Sequence, residues 1–306
     1  MRRFFRKAAL ISLGLVLVAA TGISEVIKDE VIYARLSSQG EVESVYVVNG
    51  FETSEISEVN DYGLYLETMP LTQAEAFAYQ DGQAHFTMAP GRFYYQGTPD
   101  RMSLPWEIAM RYTLNGEEVM PEALSGASGQ LGIYFAVNPL EEGASYNQSL
   151  AMTATFTLPG ARCLSVQAPE ATIAHAGGNI TLSYVILPGQ AASYHITADV
   201  QDFAMDGAQF AAVRMGVDAR MYQDMAAQAL EGTPFGVVAG NMMEQFLLRM
   251  QGQPVISFTD GRNTVRSLQF VLLGEEIPAK KTIPASLAPE EAPDTVLQRI
   301  LSLFGM

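Results

Sequence analysis

Trp106-Glu107-Ile108-Ala109-Met110-Arg111-Tyr112-Thr113-Leu114 places Trp106, Ile108, Met110, Tyr112 and Leu114 on one side of an extended chain. Glu107, Arg111 and Thr113 fall on the other. Successive side chains of a strand point to opposite faces, so this period of two predicts a half-buried strand. Asn115-Gly116 then turns the chain, and Pro121–Leu124 suits a short helical turn that Gly126 can end. The same alternation returns in Leu131, Ile133, Phe135 and Val137, and in Leu150, Met152, Ala154, Phe156 and Leu158. Strands are also expected at Arg162–Val166, Ile180–Leu187, His195–Phe203 and Ala208–Arg214. About seven strands in about 110 residues, with turn signals between them, is the pattern of an immunoglobulin-like β-sandwich. The Cys…Trp…Cys core of antibody domains is missing, so only the architecture is implied. A transglutaminase-type or jelly-roll sandwich reads much the same.

Working outward, VIYARL (31–36) and VESVYVV (42–48) read as a hairpin joined through Gly40, and QAHFTM (83–88) and RFYYQG (92–97) as two more strands. Residues 51–82 show few periodic positions. On the other side, Asp218–Leu230 and Val237–Met250 are rich in Ala, Met and Gln and read as two helices. Met242, Met243, Phe246, Leu247 and Met250 form an apolar stripe there that fits packed core. Val255–Phe258 and Thr264–Leu273 read as a closing hairpin around Asp260-Gly261-Arg262, and 274–293 as a Pro-rich, charged linker. In 294–306, Asp294 suits an N-cap, and Leu297, Ile300, Leu301 and Phe304 share one face at helical spacing. The expected organisation is therefore mainly β: a signal peptide at 1–20, a small β subdomain at 21–103 and the sandwich at 104–215. A helical pair plus closing hairpin (216–273), the linker (274–293) and the amphipathic tail helix (294–306) complete it.

The N-terminus carries a basic stretch, Arg2, Arg3, Arg6 and Lys7, before the uncharged apolar run Ala8–Ala20. Small residues in Val18-Ala19-Ala20 fit a signal peptidase site. Even extended to Ile23 the run is shorter than the roughly 20 residues that span a bilayer comfortably. A cleaved signal peptide is the expectation, with an uncleaved anchor as its competitor. Of the 306 residues 48% are hydrophobic, enough for a proper core, and 33 acids against 18 bases give a net charge of −15. The four bases of the N-terminal segment belong to that count, so the remainder is more acidic still. Such a field repels nucleic-acid phosphates.

No HExxH, Walker loop, GxGxxG or GxSxG occurs. His85, His175 and His195 are far apart and lack a second ligand at metal spacing; Asp199, Asp202 and Asp206 do not follow the spacing of a calcium loop. The lone Cys163 cannot form an intramolecular disulfide and suits a small buried hydrophobe. No catalytic, cofactor-binding or metal residue is assigned, and no cofactor is expected. Phe93, Tyr94, Tyr95 and Trp106 offer a sugar-stacking platform only if one face carries them, and alternation places Tyr94 opposite Phe93 and Tyr95.

KDEVIYARLSSQGEVESVYVVNGF (28–51), FYYQGTPDRMSLPWEIAMRYTLNGEEVMPEALSGASGQLGIYF (93–135), ITADVQDFAMD (196–206) and SFTDGRNTVRSLQFVL (257–272) come in a distinctive order. In these pieces the chain resembles large exported cell-envelope proteins of Gram-positive, largely clostridial, bacteria, related to the phage-infection-protein (Pip/YhgE-like) heptad-repeat group. The resemblance covers about half the chain. It implies an envelope protein and transfers no active site. Many such proteins carry a long repeat insert where this chain has only Gly216–Gln253, which puts a spacer role in doubt.

Two functions follow as expectations. One is an exported cell-envelope or surface module, non-catalytic, that docks on an envelope protein or membrane-associated partner through Leu297, Ile300, Leu301 and Phe304. The alternative is an extracytoplasmic ligand-binding protein or an enzyme acting on cell-wall glycan, for which Glu107, Asp199 and Asp202 would have to meet in one cleft.

Overall fold

A computed structural model describes residues 26–73, 75–101, 103–214 and 255–280. The signal segment 1–20, the two expected helices and the tail with Leu297, Ile300, Leu301 and Phe304 lie outside the described residues.

The described chain is mainly β, with one short helix, α1 (Ala144–Asn147). Strands β1 (Ile27–Leu36) and β2 (Val42–Thr53) form the expected hairpin. Its turn packs against the Trp106–Leu114 strand, where Gln39 O accepts from Met110 N at 2.8 Å. Gly40 sits there at φ +97°, and a Cβ on it would lie 2.4 Å from Ile108 O, so both conformation and space demand glycine. Next come β3 (Ser57–Tyr62), β4 (Tyr65–Pro70), β5 (Glu75–Gln80), β6 (Gln83–Met88) and β7 (Gly91–Pro99). The clean alternation forms β8 (Trp106–Leu114), which turns through Asn115 and Gly116, both at positive φ, into β9 (Glu117–Val119). A 3-10 turn at Pro121–Leu124 follows, as expected. The chain continues with β10 (Gly129–Pro139), β11 (Leu150–Pro159), β12 (Cys163–Gln167), β13 (Thr172–Ala176), β14 (Asn179–Ile186), β15 (Ala192–Val200) and β16 (Gln209–Arg214). After the undescribed stretch comes β17 (Ser267–Gly274).

These strands make a nine-stranded sheet, β13-β14-β11-β16-β17-β1-β2-β7-β4, a five-stranded sheet, β12-β15-β10-β8-β9, and a three-stranded sheet, β3-β6-β5. The nine-stranded sheet backs two cores. Its β13-to-β17 half faces the five-stranded sheet, with the ring of Phe135 of β10 tilted 4.8 Å from Phe156 of β11 and edge-on 5.1 Å from Tyr184 of β14. Its β1-to-β4 half faces the three-stranded sheet, where Phe86 of β6 lies 4.4 Å from Phe93 of β7 and 5.1 Å from Phe51 of β2. The expected strands after residue 104 thus do form two facing sheets. One of those sheets runs on through β17 and β1 into the strands of 21–103. The seam is the parallel pair β1·β17, in register Asp29↔Ser267 to Leu36↔Gly274.

Two local expectations fail. Val255–Phe258 forms only an isolated bridge, Ile256↔Thr264, because Ser257, Phe258 and Thr259 turn toward the buried Glu30. Residues 51–82, weak in pattern, contain β3, β4 and β5.

Candidate interaction site

Strand alternation sends Lys28 and Glu30 of β1 inward, toward the three-stranded sheet, where Asp61 of β3 meets them; all three are buried. Lys28 Nζ lies 2.7 Å from Glu30 Oε1 and 2.5 Å from Asp61 Oδ1, with the Phe51 ring 5.7 Å away. Asp61 Oδ2 accepts from the Tyr95 hydroxyl. Glu30 accepts from Ser257 Oγ at 2.6 Å, Thr259 Oγ1 at 2.9 Å and the Phe258 N–H at 2.8 Å. Asn263 completes the clamp: its Nδ2 donates to Tyr62 O and Thr259 Oγ1, and its Oδ1 accepts from Tyr62 N. One cation and two carboxylates therefore pin the 257–263 loop and β3 to β1. Burial pushes the Asp61 carboxyl above its ordinary value, outweighing the charge and hydrogen bond of Lys28.

The network fixes a surface as well as a core. Beside it, Asn49 Nδ2 donates to the Tyr65 hydroxyl at 2.9 Å, and the Tyr79 hydroxyl accepts from Tyr65 N at 2.8 Å and donates to Gly63 O at 2.9 Å. These bonds hold β4, the last strand of the nine-stranded sheet, with Tyr65 inward. Leu66 is left 72% exposed, and Leu64, Met69, Leu71 and the nearby-in-sequence Ile56 are also exposed. Five large apolar side chains within residues 56–71 stand out against scattered exposed apolar residues, which need no explanation. Glu55, Glu67 and Asp100 are exposed in the same stretch of chain or beside β4. Pro70 and the register shift between Tyr65 and Glu67 make β4 a poor template for strand addition, so its side chains are what it offers a partner.

At the other end of the nine-stranded sheet, β13 pairs only with β14, and β12 pairs only with β15 at the end of the five-stranded sheet, among the described residues. Between these two edges lies a groove of about 550 Å³ bordered by Cys163, Leu164, Val166, Ile173, His175 and Ile180. Cys163 is buried in its wall, and burial lifts the thiol to about 11, so it is no ready nucleophile.

The residues weighed for catalysis do not converge. Glu107 sits opposite Asn138, and Asp199 opposite Gln130, on the same strand β10. Eight residues of strand separate those positions by about 26 Å, far beyond the roughly 5–10 Å between paired glycosidase carboxylates. Asp202 is taken by Arg162, which donates to its carbonyl at 2.6 Å and lies 3.3 Å from its carboxylate. Phe93 and Tyr95 are core, Tyr94 lies over Gly50 on the other face, and Trp106 is buried edge-on against Phe270. The aromatic platform is not assembled. His85 contacts Asn60 Oδ1 at 3.0 Å, His195 stacks on Tyr134, and His175 borders the groove. Sequence reasoning missed Lys28, Glu30 and Asp61. The only sign was two charged residues, Lys28 and Glu30, sharing the side of β1 that also carries Ile32 and Ala34.

No family model matches the sequence, and no curated protein matches it. Solved structures with some similarity include the yeast delta-COP-I mu-homology domain, at TM-score 0.36 and 10% identity, over 82% of this chain and 95% of that chain. The Danio rerio Fcho1 mu-homology domain with bound Eps15 peptide matches at TM-score 0.40 and 8% identity, over 82% of this chain and 95% of that one. The yeast domain complexed with a Dsl1 WxWxV peptide gives TM-score 0.36, 10% identity and the same coverage. At such TM-scores these likenesses carry no argument about the family or ligand of this chain.

Proposed function

We propose that this chain is a non-catalytic interaction module of the cell envelope, exported on its N-terminal segment, whose β4 edge docks on a partner protein. The observation that carries the reading is the exposed apolar set Leu64, Leu66, Met69 and Leu71, on and flanking a strand braced from behind by the Asn49–Tyr65–Tyr79 hydrogen bonds. Exposed apolar clusters of this kind mark interaction surfaces. The acids Glu55, Glu67 and Asp100 suit a partner whose apolar face has a basic rim. Export rests on Arg2, Arg3, Arg6, Lys7 and the apolar run Ala8–Ala20. The resemblance to clostridial envelope proteins points the same way. We read 104–215 as immunoglobulin-like in architecture because its expected strands divide between two facing sheets.

The test is envelope retention of the full chain in producing cells, with its N-terminus mapped by mass spectrometry. Leu64→Asp with Leu66→Asp should release the protein from the envelope fraction while leaving its melting temperature unchanged, since both side chains are already in water. Release by substitutions at Leu297, Ile300, Leu301 and Phe304 instead, with the β4 variant fully retained, would move docking to the tail. An intact Met1 in a wholly cytoplasmic protein would end the envelope reading.

A further inference from the structure

The groove between β12 and β13 has sheet edges for both its walls. The Gly177-Gly178 turn, at φ +59° and +83°, sets the β13·β14 register with Ala176 opposite Asn179. In a two-residue hairpin that register puts the N–H and C=O of Ile173 and His175 on the outer edge, away from β14. No Lys or Pro guards the Thr-Ile-Ala-His-Ala edge, and every one of its residues is exposed. Ile173 is 45% and Leu164, across the groove, 62% exposed. Covering by a helix or loop is one of the ways in which proteins keep such edges from pairing with other chains.

Where the described chain leaves the body indicates what covers it. After β17 the chain bridges Ile277 to Met205, and Ser125 Oγ donates to Pro278 O at 2.8 Å. Lys280 then lies against Gly126: a Cβ placed there would be 2.7 Å from Lys280 Cβ and 3.4 Å from Asp202 Oδ1. Asp202 in turn holds Arg162, the residue just before the groove-lining Cys163, and Gln201 N donates to Arg162 O at 2.9 Å. The exit is thus one side-chain layer from the β12 end of the groove. β4, by contrast, is at the far edge of the nine-stranded sheet from β13. Residues 281–306 follow, with a reach on the order of 80 Å when extended. Within them Leu297, Ile300, Leu301 and Phe304 share one face at helical spacing.

We propose that the apolar face of 294–306 seats in the β12–β13 groove of its own body, against Leu164, Val166, Ile173 and Ile180. The tail is then the cover of an open sandwich edge, and the partner contact is left to β4. This inference does not rest on the proposed partner, because it concerns the isolated protein.

Hydrogen exchange on the purified full chain tests it. Amides of 163–167 and 172–176 should be protected in the native protein. They should exchange at least tenfold faster in a variant carrying Leu297→Asp, Ile300→Asp, Leu301→Asp and Phe304→Asp. Ile173→Asp, a change at an exposed edge position, should expose the same two segments while leaving β10 and β11 protected. Protection must persist on dilution, with a monomeric mass. Edge amides that exchange equally fast in wild type and variants would overturn the proposal. So would protection that disappears on dilution together with a dimer, which would assign the groove to a second copy.

Discussion

The two cores behind the nine-stranded sheet solve the same packing problem with different chemistry. Against the five-stranded sheet, Phe135, Phe156, Tyr184 and Phe210 fill the space, with no charged residue among the described residues buried there. Against the three-stranded sheet an aromatic cluster of Phe51, Phe86, Phe93 and Tyr95 shares its interior with Lys28, Glu30, Asn49 and Asp61. An apolar core gains stability from area alone, whereas a buried charge set gives little net stability and constrains which groups can meet. The charged half is also the half that must capture the 257–263 loop, distant in sequence from both β1 and β3. Glu30 accepts three hydrogen bonds from that loop, a geometry that apolar packing would not specify.

The largest effect expected is from Lys28→Met, which leaves two buried carboxylates without their cation. It should cost about 3–5 kcal/mol at neutral pH, measured by denaturant unfolding. The cost should shrink on acidification, because protonating Asp61 removes one uncompensated charge. Phe135→Ala should cost about 3–4 kcal/mol through the cavity it leaves, with no such recovery at low pH. If both variants share one pH profile, the contrast between the halves fails. A smaller effect, about 1.5–3 kcal/mol, is expected for Ser257→Ala, which removes a hydrogen bond to the Glu30 side chain beside Lys28. Exchange at 257–263 should rise more than at β10 or β11.

The wild type supplies its own pH test. Because the folded carboxyl of Asp61 titrates above its unfolded value, the native state binds more protons in the window between the two. Asp61 therefore lowers stability as pH rises from the ordinary carboxylate range through that raised value. Asp29 acts in the opposite sense. Burial raises its carboxyl, but bonds from Arg266 and Ser267 and the charge of Arg266 prevail and lower it. Its stabilisation is present above the unfolded value and lost as pH falls through the folded one. Comparing wild type with Asp61→Asn across this range isolates the first contribution; an unchanged slope would show that Asp61 does not titrate as argued. The smallest effect belongs to Tyr184→Phe. The Tyr184 hydroxyl is buried with no hydrogen-bond partner among the described residues, so its removal should be neutral or stabilising by up to about 1 kcal/mol. A loss of more than that would reveal a bonded water.

Local pattern made much of the five-stranded side legible. β8, β10 and β11 alternate because one face of each is core and the other water, and Asn115-Gly116 turns as its residue types require. β13 was not legible, since an edge strand with every residue exposed has no alternation to show. β4 was obscured in the same way, its exposed Leu66 and Met69 mimicking inward positions. That Tyr94 faces away from Phe93 and Tyr95 was readable, but not which face is core, because the partners Phe51 and Phe86 come from other strands. Of the site, the exposed β4 edge and the groove are properties of where sheets end, which no local window contains.

The sequence by itself determined that this is a mainly β chain, which residues of β8, β10 and β11 face inward, and that its charge disfavours nucleic acid. A period of two, turn residues and summed charge are local or additive quantities. Only the tertiary structure decided that β1 lies parallel to β17, that Lys28, Glu30 and Asp61 share one buried site, and that Glu107 and Asp199 do not meet. Those outcomes depend on pairing segments up to more than two hundred residues apart. Backbone hydrogen bonds have the same chemistry in every strand, so the choice falls to side-chain complementarity across the assembled sheets.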